Sequence, residues 1–204
     1  TLSALQGKIA LQKSVVLGQS AMLTPFTDAL PQRVERSEDR ITINLQSCTT
    51  VFIACISAVA LYCIEFASAL GFNIIVCEDR EEELRQIHQS NLLHKVQLIQ
   101  AFPGTYLETY GCTAQTAILS LTHDPRIDDL TMIAACETPA FYIGAMGSKQ
   151  NSQNRLARLR ECTDFSEDTL QRIHAPIGLD LGSKTPAEIA LAIMADIIKS
   201  KNNA

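Results

Sequence analysis

The chain has 204 residues, enough for one good hydrophobic core and a small appended segment, and its 47% hydrophobic and 19% charged content is that of a globular protein. A net charge of -5 without any dense Lys/Arg block argues against a nucleic-acid partner. Seven cysteines at irregular spacing, with no C-x-x-C pair, read as reduced thiols and not as a disulfide framework or a metal site.

Residues 1–47 carry few signals and form an N-terminal segment in this reading. Leu5 to Leu17 fits either a helix or a strand pair, and Thr24-Pro25 and Leu30-Pro31 read as breaks in regular structure. Ile41 to Leu45 alternates apolar and polar residues, as a half-buried strand does.

The character changes after residue 47, where the second domain, 48–204, begins. Val51 to Leu70 is as long as a membrane span, but it carries Glu65, lacks basic flanks and runs on into a second apolar stretch. No membrane span is therefore expected, and without a visible signal peptide the expected location is the cytoplasm. Val51–Ala54 reads as a buried strand and Ala58–Leu70 as a helix stopped by Gly71. Asn73–Cys77 is the next strand, Glu81–Gln89 a helix and Val96–Ile99 a short strand. Gln115–Leu121 follows as a strand, Pro125–Cys136 as a helix, and Ala140–Ile143 as a strand entering Gly144. Ser148–Cys162 and Ser166–Ile173 read as helices. Thr185-Pro186-Ala187-Glu188 is a capping box with proline at the first helical position, and Ile189, Ile193 and Ile197 give that last helix an apolar stripe. Strands alternating with helices predict an α/β fold, a Rossmann-like parallel sheet with helices on both faces.

Four strand ends carry candidate chemistry. The turn Cys55-Ile56-Ser57 follows the first strand where a dinucleotide fold places glycines, and it has none. Glu78 stands where an acid would read a ribose, a position equally suited to a solvated charge. Gly144-Ala145-Met146-Gly147-Ser148-Lys149 joins a strand to a helix, where bare amides, Ser148 and Lys149 suit either an anion such as a phosphate or a tight capped turn. His123 and Asp124 follow another strand and read as an acid/base pair, an anchor, or a loop with Asp124 or Thr122 capping the next helix. His88, His94 and His174 read as solvated. Arg155, Arg158 and Arg160 fit a solvated helix face, with Arg155 the one placed to bind an anion. Asp180, in the loop Pro176–Gly182, reads as a ligand contact or a turn-stabilising side chain.

Taken together, Leu121-Thr122-His123-Asp124-Pro125, Tyr142–Ser148, Arg155-Leu156 with Leu159, Pro176–Gly182 and Thr185–Ala190 resemble the C-terminal Rossmann-type domain of the xanthine dehydrogenase accessory (XdhC/CoxI) family. The resemblance implies a maturation factor and not a turnover enzyme: it would bind molybdenum cofactor, protect it during sulfuration and deliver it to a molybdenum hydroxylase apoenzyme. A cysteine desulfurase is then a further partner, and a homo-oligomer the expected assembly. Cofactor contacts would come from Gly144, Ala145, Gly147, Ser148, Lys149, His123, Asp124, Glu78 and Arg155, with no protein-bound metal. The family's first turn usually reads Gly-Ala-Gly-His-Val, here Cys55-Ile56-Ser57-Ala58-Val59, and Cys48 lacks the glycine-flanked setting of the cysteine in longer members. Two rival readings remain: an NAD(P)-dependent oxidoreductase using Glu78, and a non-catalytic partner-binding module with a degenerate nucleotide site.

Overall fold

A computed structural model describes residues 10–16, 18–26, 34–45, 48–122 and 124–203. The chain divides into two compact units, Thr1–Cys48 and Thr49–Ala204.

The first unit holds β1 (Ala10–Val16), β2 (Met22–Phe26), β3 (Val34–Arg36) and β4 (Arg40–Leu45) in an antiparallel sheet of order β2-β1-β4-β3. Pro25, expected to interrupt regular structure, lies within β2 opposite Leu11. It is tolerated because β2 is an edge strand, where a missing backbone N–H breaks no ladder on the open side. Of the expected Leu5–Leu17 element, the described part is the strand β1, and Leu30-Pro31 lies outside the described residues.

The second unit is a six-stranded parallel sheet. Its strands are β5 (Thr50–Ala54), β6 (Asn73–Cys77), β7 (Gln97–Ile99), β8 (Thr116–Ser120), β9 (Tyr142–Ala145) and β10 (Ile173–His174), in the order β10-β9-β8-β5-β6-β7. Counted from β5, that is the 3-2-1-4-5-6 order of dinucleotide-binding folds, with its switch point between β5 and β8. The helices are α1 (Ala58–Ala69), α2 (Glu81–Gln89), α3 (Pro103–Tyr110), α4 (Pro125–Cys136), α5 (Lys149–Cys162), α6 (Glu167–Gln171) and α7 (Pro186–Asn203).

Alternate residues of each strand feed two separate cores, because successive side chains point to opposite faces of a sheet. Val51 and Ile53 pack with Ile64 of α1, Ile87 of α2 and Ile193 of α7. Phe52 and Ala54 pack with Leu107 of α3, Met132 of α4, Leu159 of α5 and Leu170 of α6. The long apolar run from Val51 is thus β5 plus α1, and among the described residues no helix is long and apolar enough to cross a membrane. The capping box forms as its spacing requires: Glu188 accepts from the Lys184 and Thr185 amides at 2.8 and 2.9 Å, and the Glu188 amide donates to Thr185 Oγ1 at 3.3 Å.

Besides β2, β3 and a short 3-10 turn at Leu93–Lys95, the pattern misses two elements of the second unit. No sequence signal anticipates α3, whose Pro103-Gly104 start looks like a turn, and β10 occupies the end of the stretch expected to be helical to Ile173. Strand β9 also runs two residues further than expected, which places Gly144 and Ala145 inside the sheet.

Candidate functional site

Among the described residues, grooves open at two places along the carboxyl ends of the strands. The first lies at the switch point, about 880 Å³ in volume, and is lined by Ser57, Arg80, Glu83, Thr122, Asp124 and Arg126 among others. Its floor is the glycine-free turn. Cys55 takes φ 73, the left-handed conformation of a glycine, although it carries a fully buried side chain. Ser57 caps α1 by accepting from the Ala60 amide.

Glu78 is completely buried behind this turn. Its Oε2 accepts from the Ile56 amide at 2.7 Å and from Arg80 Nη2 at 2.7 Å. Its Oε1 accepts from the Asp79 and Arg80 amides and from Arg80 Nε. Arg80 Nη2 also donates to the Ile56 carbonyl at 3.2 Å, so acid and guanidinium clasp the turn from beneath. Burial alone would raise the Glu78 carboxyl, but the Arg80 side chain and the Ile56 and Arg80 amides outweigh it and hold it below the ordinary value. With five donors on its two oxygens, Glu78 has no lone pair turned to a ribose hydroxyl.

Asp124 borders the same groove as the N-cap of α4, accepting from the Arg126 amide at 3.0 Å and pairing with the Arg126 guanidinium at 2.8 Å. That hydrogen-bonded guanidinium lowers the Asp124 carboxyl to about 2. Thr122 Oγ1 accepts from the Asp124 amide. His123 lies outside the described residues.

The second groove, about 530 Å³, runs between the start of α5 and the loop Pro176–Ser183. Gly147, Ser148, Lys149 and Asp180 line it. Ser148 caps α5 by accepting from the Asn151 amide at 3.2 Å, and Lys149 Nζ reaches Asp180 Oδ2 at 3.3 Å with both side chains exposed. Gly144 and Ala145 do not face this groove: both are buried in β9. Gly144 is where Ile177 of the loop presses on the strand, since an added Cβ would stand 2.5 Å from Ile177 Cδ1.

The strand ends themselves adjoin, with the Met146 amide donating to the Ser120 carbonyl at 2.9 Å. The side chains nevertheless separate: Asp124 lines the switch-point groove and Ser148 lines the other. Ser148 and Asp124 thus belong to different grooves.

Beneath the second groove Arg155 is 4% exposed, not on a solvated face. Its Nη2 donates to Asp128 Oδ2 at 2.6 Å and to the Met146 carbonyl at 3.2 Å, and its Nε lies 3.5 Å from Asp129 Oδ1. Ser120 Oγ donates to Asp128 Oδ1 at 2.5 Å. Arg158 holds Asp129, and Arg160 holds Glu167. Asp128 gave no sequence signal, because its partners arrive from β8 and from a helix 27 residues away.

His174 is likewise not simply solvated. Its Nδ1 lies 3.1 Å from Asp196 Oδ2, the same oxygen that accepts from Tyr142 Oη at 2.9 Å, and its ring lies tilted against Tyr142, centroids 4.2 Å apart. The cysteines of the described residues are all free thiols, and no cluster of three or more His, Cys, Asp or Glu there could hold a metal ion.

Comparison with known proteins gives a family for this architecture. Residues 51–197 match the family described as the XdhC Rossmann domain. An uncharacterized protein, YqeB, of Escherichia coli is 31% identical over 141 residues, 68% of this chain and 25% of that protein. A protein of Bacillus subtilis, named as a probable subunit of xanthine dehydrogenase, is 28% identical over 66% of this chain and 38% of its own length. The molybdenum cofactor insertion chaperone PaoD of E. coli is 34% identical over 40% of this chain and 26% of its own length. The chain therefore spans roughly a quarter to two fifths of the curated relatives it matches. A solved structure of a xanthine dehydrogenase from Bacillus halodurans superposes with a TM-score of 0.70 at 19% identity, covering 98% of this chain and 62% of that one, a likeness of fold.

Proposed function

Because the chain belongs to the XdhC Rossmann-domain family, we propose that it serves the maturation of a molybdenum hydroxylase by holding molybdenum cofactor for insertion into the apoenzyme. Support comes from a relative named as a molybdenum cofactor insertion chaperone and another named as a probable component of xanthine dehydrogenase. The observation that carries the reading is the second groove, where Gly147, Ser148 and Lys149 open α5 opposite the loop Pro176–Ser183.

The chemistry of those residues fits the phosphate end of the cofactor's pterin. A helix start offers amides that have no partner within the helix and a partial positive charge, and Lys149 adds a cation. Below the turn, Arg155 Nη1 and Ser152 Oγ are buried and without hydrogen-bond partners. The cofactor supplies the molybdenum centre that the client enzyme uses. The chain's own part is to bind the phosphate, orient the pterin along the loop and keep water from one of its faces. Nothing at the switch-point groove favours the dehydrogenase alternative, since Glu78 is committed to Ile56 and Arg80.

Titrating the purified chain with molybdenum cofactor, followed by pterin fluorescence, tests this. Saturable binding is expected, weakened about tenfold by Lys149→Ala, as loss of a charge-assisted contact would do. Absence of saturable binding, or wild-type affinity in both Lys149→Ala and Ser148→Ala, would overturn it.

A further inference from the structure

We infer that the turn at Gly147 is a cradle for one oxygen of a phosphate monoester, with Arg155 and Ser152 as its buried donors. The choice of ligand rests on the reading that this groove holds a phosphorylated pterin.

Gly147 has φ 154, a backbone conformation that other residues rarely adopt. A Cβ placed there would stand 3.7 Å from Arg155 Nη1 and 3.9 Å from Ser152 Oγ. The space that any other residue fills with carbon is thus left open directly above two polar atoms. Both belong to buried residues, Arg155 at 4% and Ser152 at 2% exposure, and neither atom has a hydrogen-bond partner. An unpartnered buried guanidinium N–H and an unpartnered hydroxyl are each unfavourable, so their coincidence under one glycine calls for an acceptor. A ligand oxygen entering beside Asn151 Cβ must pass a few tenths of an ångström beyond the Cβ position to come within hydrogen-bond reach of both.

Arg155 is not free to turn elsewhere. Its Nη2 is fixed by Asp128 and the Met146 carbonyl, which leaves Nη1 aimed under the turn. Asp128 and Asp129 balance Arg155 and Arg158, so recognition comes from directed donors and not from net local charge. The Lys149 and Gln150 amides, which open the 14-residue helix α5 just after Gly147, have no partner within that helix. Donors from three directions suit a tetrahedral anion with several acceptor oxygens better than a planar carboxylate with two. The groove of about 530 Å³ on the loop side then receives the group esterified to the phosphate.

The test is calorimetric titration of the chain with inorganic phosphate, phenyl phosphate and acetate. Both phosphates are expected to bind and acetate not, with phenyl phosphate the tighter because the groove takes its ring. Gly147→Ala should weaken phosphate about tenfold by filling the cradle, and Ser152→Ala about threefold with unchanged thermal unfolding. Phosphate that fails to bind the wild type, or binds both variants as it binds the wild type, overturns the cradle. Inorganic phosphate binding more tightly than phenyl phosphate overturns the choice of a monoester. Cofactor binding without phosphate binding would sink the cradle alone, whereas phosphate binding without cofactor binding would sink the carrier reading alone.

Discussion

Arg155 and Asp128 meet at 2.6 Å with side chains only 5% and 3% exposed, joining α5 to α4 directly beneath the groove at Gly147. Burial raises the Asp128 carboxyl from 3.8 to about 6, although the Ser120 hydroxyl and the Arg155 guanidinium pull the other way. Between those two values the folded chain keeps a proton that the unfolded chain has released. The contribution of Asp128 to stability therefore falls as pH rises through that window. Urea unfolding at pH 4 and pH 7 should show wild type losing about 2–3 kcal/mol relative to Asp128→Asn on going to the higher pH. A difference that does not change with pH would refute this.

Glu78 makes the opposite prediction. Its carboxyl is held low, so its contribution is full above its ordinary value of 4.5 and is lost as pH falls through the lowered folded value. Glu78→Gln should lose about 3 kcal/mol at pH 7, the low end for breaking a buried pair, because Arg80 stays one third exposed. Denaturant midpoints at pH 7 and pH 3 measure it, and the gap between variant and wild type should narrow at the lower pH.

Cys55 sits in a glycine's conformation with its thiol buried. Cys55→Gly relieves roughly 1 kcal/mol of backbone strain and forfeits a similar amount of burial, so stability should change by less than about 1 kcal/mol. Cys55→Val, β-branched at positive φ, should cost more than about 2 kcal/mol. Equal effects of the two in chemical denaturation would show that the turn is not strained.

Gly144 supports the groove from below. Gly144→Ala would bring a Cβ 2.5 Å from Ile177 Cδ1 and 2.9 Å from Tyr142 Cε1, displacing the loop that forms one wall. A loss of about 1–3 kcal/mol in thermal unfolding is expected, together with weaker phosphate binding at the other end of the groove. Unchanged stability would mean that Ile177 moves aside freely.

Much of the architecture was legible because it is local. Val51–Ala54, Asn73–Cys77, Pro125–Cys136 and the capping box at Thr185 to Glu188 each write their element in adjacent residues, and the structure has them at those positions. The misses have non-local causes. Pro103-Gly104 spells a turn unless the chain after it has a core to cover, and Ile173-His174 is strand only because β9 lies beside it.

The site was legible in outline and not in wiring. Gly147, Ser148 and Lys149 follow from glycine and capping chemistry within one turn. Glu78 was identified by position but belongs to a clasp, since the Ile56 amide it accepts lies 22 residues away. Arg155 was placed on a helix whose solvent face was unknown until α4 packed against it.

Sequence alone determined most of the strands and helices of the second unit, because periodicity and capping act within a few residues. Only the tertiary structure decided that Ser148 and Asp124 line different grooves, that Glu78 is consumed by the first turn, and that two donors lie unpartnered beneath Gly147. Those relations join residues on different elements, and whether a buried polar atom has a partner depends on what packing brings to it and not on its neighbours in the chain.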